Sequence, residues 1–162
     1  MPVTTPKQAE FNAAEWMRSV GYLDAVSPEH GADGGIDVRS TKALAQVKYR
    51  SSKAGRPEIQ NLVGARGSDH TKALLFFDLQ GYSPQAVEYA NQMSVGLYTY
   101  DQSGKVSAVN DAGRRLMAVS PAAKLLTLVM SQRFRWTAAV VAGLLLGCFL
   151  IGAASSQIGW NR

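Results

Sequence analysis

Residues 31–50 read GADGGIDVRSTKALAQVKYR, and their pattern decides the fold. Asp33-Gly34-Gly35 predicts a tight turn or bulge, because glycine adopts positive φ at no steric cost. Residues 36–39 (Ile, Asp, Val, Arg) then alternate apolar and polar with the period of a half-buried strand. Residues 43–50 (ALAQVKYR) do the same, with Ala45 and Val47 on one face and Gln46, Lys48 and Arg50 on the other. The short link between them predicts a hairpin. With Thr41 and Lys42 as a two-residue loop, Asp37 stands opposite Gln46, and Lys48 lies one step further along the same face. A one-residue slip would turn every side chain over.

Outward from this hairpin the chain alternates helix and strand signals. Thr5-Pro6-Lys7-Gln8 is a helix start, with Thr5 as N-cap, Pro6 in the first turn and Gln8 completing a capping box. Ala9, Ala13, Trp16, Met17 and Val20 form its apolar stripe, with Glu10 at the stripe's edge, and Gly21 can end it. Residues 22–26 are expected as a short first strand. Pro57 opens a second helix with Ile59, Leu62 and Val63 inward, and residues 73–77 are a continuous apolar run of the kind buried on both faces of a sheet. Ser83-Pro84 starts a third helix, residues 95–100 form another strand, and residues 101–104 turn the chain into residues 105–109. The expected order is α-β-β-β-α-β-α-β, an α/β fold with a mixed sheet. This domain is assigned to residues 1–109.

The chain has 162 residues and a formal charge of +5, with 46% hydrophobic and 18% charged residues. That balance excludes a disordered polyelectrolyte or a low-complexity chain. One cysteine excludes a disulfide or thiolate cluster within the chain, so no disulfide partner is expected. With only His30 and His70 besides, a zinc site is not expected. The mean hydropathy of −0.08 averages two unlike parts. Residues 137–154, TAAVVAGLLLGCFLIGAA, form an uncharged run of 18 residues bracketed by Trp136 and Trp160. This predicts one transmembrane helix over residues 136–156, preceded by a linker and juxtamembrane helix over 110–135 and followed by a short tail, 157–162. Arg114, Arg115, Lys124, Arg133 and Arg135 precede the span and only Arg162 follows it. The positive-inside rule therefore places the body in the cytoplasm, anchored to the cell membrane by a single pass. Gly143 and Gly147 have the spacing of a close helix pair, so a homodimer is one expectation.

From Arg39 to Lys72 the basic residues number eight (Arg39, Lys42, Lys48, Arg50, Lys53, Arg56, Arg66, Lys72) against two acids, Glu58 and Asp69. Such a track suits phosphate or an anionic surface. Beside the Gly-Gly turn, a carboxylate, an amide and an ammonium are expected on one sheet face. A hard divalent cation wants oxygen ligands, which Asp37, the Gln46 carboxamide and the Val47 carbonyl would supply. Lys48 would hold the attacking water and offset charge growing on the phosphate, with Glu10 reaching in from the first helix. Alternating polar residues are also simply the wet face of a strand, and residue spacing alone leaves both readings open.

GADGGIDV followed by AQVK, nine residues from Asp37 to Gln46, closely resembles the Mrr-like branch of restriction endonucleases within the PD-(D/E)xK nuclease superfamily. There glutamine replaces the usual glutamate, as in Gln46-Val47-Lys48. Ala9-Glu10 with Trp16, Gly21-Tyr22, PEIQNLVG at 57–64 and the LFF strand followed by Gly81-Tyr82-Ser83 fit the same pattern, over residues 6–101. The resemblance implies a restriction-endonuclease-like α-β-β-β-α-β core and a Mg²⁺- or Mn²⁺-dependent DNA endonuclease directed at foreign or modified DNA. It implies Asp37, Gln46 and Lys48 as the active-site core, Glu10 as the helix carboxylate, and Gln60 near the site. Arg50, Lys53, Arg56 and Gln60 are the expected DNA contacts. The alternative is a nuclease fold without activity that tethers nucleic acid to the membrane.

Overall fold

The computed structural model describes residues 2–28 and 33–118, which fall within one compact unit. Helix α1 (Pro6–Ser19) begins as the sequence requires, with the Thr5 hydroxyl accepting the Gln8 N–H at 3.2 Å and Pro6 at the first position. The Gln8 carboxamide reaches back to the Thr4 N–H, at 2.8 Å, one residue beyond the cap. Ala9, Ala13, Ala14 and Met17 are buried. Three alanines let the helix lie close to the sheet, while Trp16 fills the wider gap against Phe77 and Tyr98, with ring centroids at 5.4 and 4.6 Å.

The hairpin strands β1 (Val38–Arg39) and β2 (Ala43–Lys48) are followed by α2 (Arg56–Ala65), β3 (Ala73–Asp78), α3 (Pro84–Gln92), β4 (Gly96–Tyr100), β5 (Val106–Ala108) and α4 (Asp111–Ala118). The five strands lie in the order β1-β2-β3-β4-β5; the central three are parallel and the two edge strands antiparallel. β3 is central, which is why its sequence, ALLFFD, is apolar without alternation. Ala43, Ala45, Val47, Leu75, Phe77 and Tyr98 pack under α1, whereas Leu44, Leu74, Phe76 and Leu97 pack with Ile59, Leu62, Ala86 and Ala90 of α2 and α3. The parallel strands all end on one side, where an α/β sheet characteristically binds its ligand. Lys48, Asp78 and Tyr100 occupy those ends.

The two-residue loop and its register hold: Val38 pairs with Ala45 and Arg39 with Leu44. Upstream the alternation breaks. Ile36 packs with Leu44 and Phe76 on the α2/α3 side, yet Val38 is on the α1 side. The Asp37 N–H donates to the Ala45 carbonyl at 2.9 Å, although Ala45 already faces Val38. This is a bulge, with two residues set against one.

Residues 22–26 do not form the expected strand; only Val26 bridges to Arg39. The Ala25 N–H instead closes a turn onto the Tyr22 carbonyl, and Asp24 is used as a clamp. Its carboxylate accepts the Thr41 N–H and the Ser40 hydroxyl, each at 2.8 Å, and these bonds hold its pKa down at about 2. β5 adds a strand within residues 105–109.

Residues 110–118, the beginning of the stretch read from sequence as linker and juxtamembrane helix, fold onto the sheet. The buried Asn110 carboxamide accepts from Leu97 N (3.0 Å) and Gly113 N (2.9 Å) and donates to the Val95 carbonyl and Asn91. Ala112 is buried, and Leu116 packs against the α1-side core. Among the described residues no helix is long and apolar enough to cross a membrane. The expected span at 136–156, the juxtamembrane stretch beyond residue 118 and the Gly143/Gly147 pair lie outside the described residues.

Candidate active site

The bulge sets the geometry of Asp37. Its half-buried carboxylate accepts the Val47 N–H at 2.7 Å, taking the place that a ladder carbonyl would have had beyond the end of β1. In an extended strand the N–H and C=O of one residue leave by the same edge, so the Val47 carbonyl is on Asp37's side of β2 as well. Asp37 thus does not simply face Gln46 across a ladder; it turns onto the strand edge beside Val47.

Gln46 is on the α2/α3 face with 7% of its surface exposed, and its Oε1 is buried without a hydrogen-bond partner. Gly35 makes room for it. Gly35 has φ +80°, and a Cβ there would stand 3.1 Å from Gln46 Nε2. The Gly-Gly turn lays bare backbone over the carboxamide, which explains its presence in the motif. Lys48 follows on the same face, half-buried. Its main-chain carbonyl accepts the Tyr100 hydroxyl at 2.8 Å, which ties the end of β2 across to β4.

Burial pushes the Asp37 pKa above the ordinary carboxylate value. The Val47 N–H and then Lys48 pull it down, Glu10 pushes it up and Lys7 pulls it down, in decreasing order of effect. These four charged side chains therefore share one field. Glu10, on α1, is held by the Lys7 ammonium and the Ser27 hydroxyl, both at 2.9 Å.

Among the described residues no three His, Cys, Asp or Glu side chains gather as a metal cluster. The candidate donors are of another kind: the Asp37 carboxylate at the edge of β2, the Gln46 oxygen on its α2/α3 face and the Val47 carbonyl. An amide oxygen nine-tenths buried and unbonded is unfavourable unless something electropositive meets it. An all-oxygen set with one anionic member fits a hard cation such as Mg²⁺ or Mn²⁺, which keeps several waters.

The expected DNA contacts are dispersed. Lys53, Arg56 and Gln60 are exposed, and the Arg56 guanidinium lies over the Tyr89 ring at 4.9 Å. Arg50 is engaged inside the fold: it forms an ion pair with Glu58 and approaches Asp78 at 3.7 Å. Glu58 also accepts the Gly55 N–H, capping α2.

Sequence reasoning missed Asp78. It is fully buried at the end of β3, in register with Lys48, with one oxygen accepting the Gln80 N–H and the other without a hydrogen bond, 3.7 Å from the Arg50 guanidinium. An acid closing an apolar run was the available signal. Burial lifts its pKa to about 6, against the pull of the Gln80 N–H and Arg50. A carboxyl whose folded pKa exceeds the ordinary value holds its proton longer in the native than in the unfolded state. Its contribution to stability therefore falls as pH rises from about 4 to about 6 and is constant above. Asp78→Asn keeps the neutral shape, and Arg50 retains Glu58. At pH 8 the variant should be more stable by on the order of 1 kcal/mol, the Arg50 guanidinium and solvent keeping the cost of the buried charge small. Thermal melts should show the difference shrinking below pH 6 and gone near pH 4; a gap independent of pH would assign the effect to packing.

A family model described as restriction endonuclease matches residues 3–102, more than half of the chain. The ends of that match are joined in the fold, where the Val3 N–H donates to the Gln102 carbonyl at 2.8 Å. No curated protein and no solved structure matches the chain.

Proposed function

The chain belongs to the restriction endonuclease family matched over residues 3–102, and from that membership we propose that it hydrolyses DNA phosphodiester bonds with Mg²⁺ or Mn²⁺. We place this activity on the cytoplasmic face of a membrane, held there by residues 136–156, with foreign or modified DNA as its target. The observation that carries the metal-dependent reading is the buried, unbonded Gln46 oxygen on the strand whose Val47 N–H binds Asp37. A strand whose face was merely wet would not bury an amide oxygen without a partner.

Asp37, Gln46 and Val47 would hold the cation, which when bound supplies positive charge against a phosphate oxygen and makes water a better nucleophile. Every other part belongs to the chain. Val47 N–H fixes one oxygen of Asp37 and leaves the other for the ligand. Gly35, with no side chain, leaves room for the Gln46 carboxamide. The Lys48 ammonium orients the attacking water and neutralises the charge that grows on the phosphate oxygens in the transition state. Lys53, Arg56 and Gln60 are exposed and would contact the DNA backbone.

The test is plasmid nicking by the full-length chain in detergent. We expect supercoiled DNA to be converted to open-circle or linear forms with Mg²⁺ or Mn²⁺ and not with EDTA. DNA that is bound in a salt-sensitive, metal-indifferent way and stays intact across modified and unmodified plasmids would leave tethering as the function.

A further inference from the structure

Lys48 and Asp78 are partners in the register of β2 and β3. Both lie on the α2/α3 face, because the alternation that sends Leu44, Leu74 and Phe76 there carries on to them. Neighbouring strands are about 4.8 Å apart, so a lysine ammonium can reach a carboxylate placed this way. A fully buried acid with one oxygen unbonded draws a cation strongly. Yet it is Arg50, two residues beyond Lys48, that meets it. The Arg50 guanidinium stands 3.7 Å from that oxygen and is paired with Glu58 of α2 as well. Among the described residues Lys48 makes no ion pair. The division follows from the chemistry of the two cations. A guanidinium is delocalised and weakly hydrated, so burying it costs less. An ammonium is compact and strongly hydrated, and stays toward water when another cation already serves the buried acid.

We propose that Arg50 is a positioning residue: it occupies Asp78 and so keeps the Lys48 ammonium available for the scissile phosphate. What Lys48 does there rests on the nuclease reading above. This role replaces the phosphate contact that the basic run suggests for Arg50. Without Arg50 the buried Asp78 carboxylate has no cation against it, and leaving it so is costly. Lys48, one strand away in register on the same face, is the cation able to take the place. Pairing would draw its ammonium down onto the sheet and away from water and phosphate. Glu58 makes no such demand, since it is partly exposed and keeps the Gly55 N–H.

Thermal melts of the full-length chain in detergent at pH 8 test the pairing without any need for activity. In the wild type, Lys48→Met should move the melting temperature by less than about 1 °C. In Arg50→Met the same change should lower it by about 4 °C, the size expected of one new ion pair. In Arg50→Met with Asp78→Asn the shift should vanish again. Cleavage should follow the same order: Arg50→Met loses about 10²-fold, approaching Lys48→Ala, and adding Asp78→Asn restores it. A phosphate contact, or a brace for α2, would also lose cleavage, but neither would regain it when Asp78 is neutralised. Equal Lys48→Met shifts in all three backgrounds, or a loss of cleavage that Asp78→Asn does not repair, overturn the inference and leave the nuclease reading intact. A wild type that never cuts DNA, with the shift confined to Arg50→Met, overturns that reading while the pairing stands. If Arg50→Met does not fold, the variant that also carries Asp78→Asn buries no unpaired charge there and should cut like wild type; failure to do so overturns the inference. So does a Lys48→Met shift in the wild type that disappears with Asp78→Asn, because Lys48 would then be paired already.

Discussion

Lys48→Ala should lower the rate of metal-dependent DNA cleavage by between about 10² and 10³, the range seen when one charge-stabilising group is removed from a transition state. The variant should melt close to wild type, because the Lys48 side chain is half-buried and the bond that fixes this position is made by its main-chain carbonyl with Tyr100. The informative readout is Mn²⁺ affinity. Lys48 acts on Asp37 as a neighbouring cation and so competes electrostatically with an incoming ion. Removing it should leave Mn²⁺ binding unchanged or tighter while cleavage collapses. Asp37→Asn, which takes away the anionic ligand, should lose both together. The separation of binding from rate is what marks Lys48 as acting on the phosphate or the water. If the alanine variant lost Mn²⁺ affinity in proportion to rate, Lys48 would be holding the strand end and its chemical role would be void.

The hairpin register, the helix starts at Thr5 and Ser83 and the central position of β3 were all legible in the sequence, because each follows from local chemistry. A two-residue loop fixes its own register, a hydroxyl before proline caps its own helix, and an uninterrupted apolar run has no face to show to water. What the sequence hid depends on partners distant along the chain. Alternation at residues 36–39 looked regular, yet the bulge at Asp37 puts Ile36 and Val38 into different cores. The strand expected at 22–26 yields to the use of Asp24 as a clamp on the turn at residues 40 and 41. Asn110 read as the start of a linker because nothing local says that its amide will meet Leu97, Val95 and Asn91. The same reason explains Arg50. In a basic run it reads as a phosphate contact, and only the approach of α2 and β3 supplies Glu58 and Asp78. Of the candidate site, residue types and order were visible; which oxygen is left unbonded was not.

Gly35→Ala should weaken Mn²⁺ binding about tenfold and cleavage about 10²-fold, the penalty expected when a reacting group is misplaced by an ångström. Two effects act at this residue and can be separated. A non-glycine residue at φ +80° is strained, at a cost of roughly 1–2 kcal/mol, and any glycine at positive φ would suffer this. The second effect is local: the new Cβ would lie 3.1 Å from Gln46 Nε2, in a side chain with little free space around it. Either the carboxamide rotates and takes its unbonded oxygen out of position, or the turn lifts and carries Asp37, two residues on, with it. Gly34→Ala supplies the control. Gly34 has φ +73° and nothing within 4 Å of its would-be Cβ, so it feels the strain without the collision. Both variants should melt a few degrees below wild type, but only Gly35→Ala should lose the metal and the cleavage. Equal losses in the two would mean that the turn matters for folding alone and that Gln46 owes its position to something other than the missing side chain at residue 35.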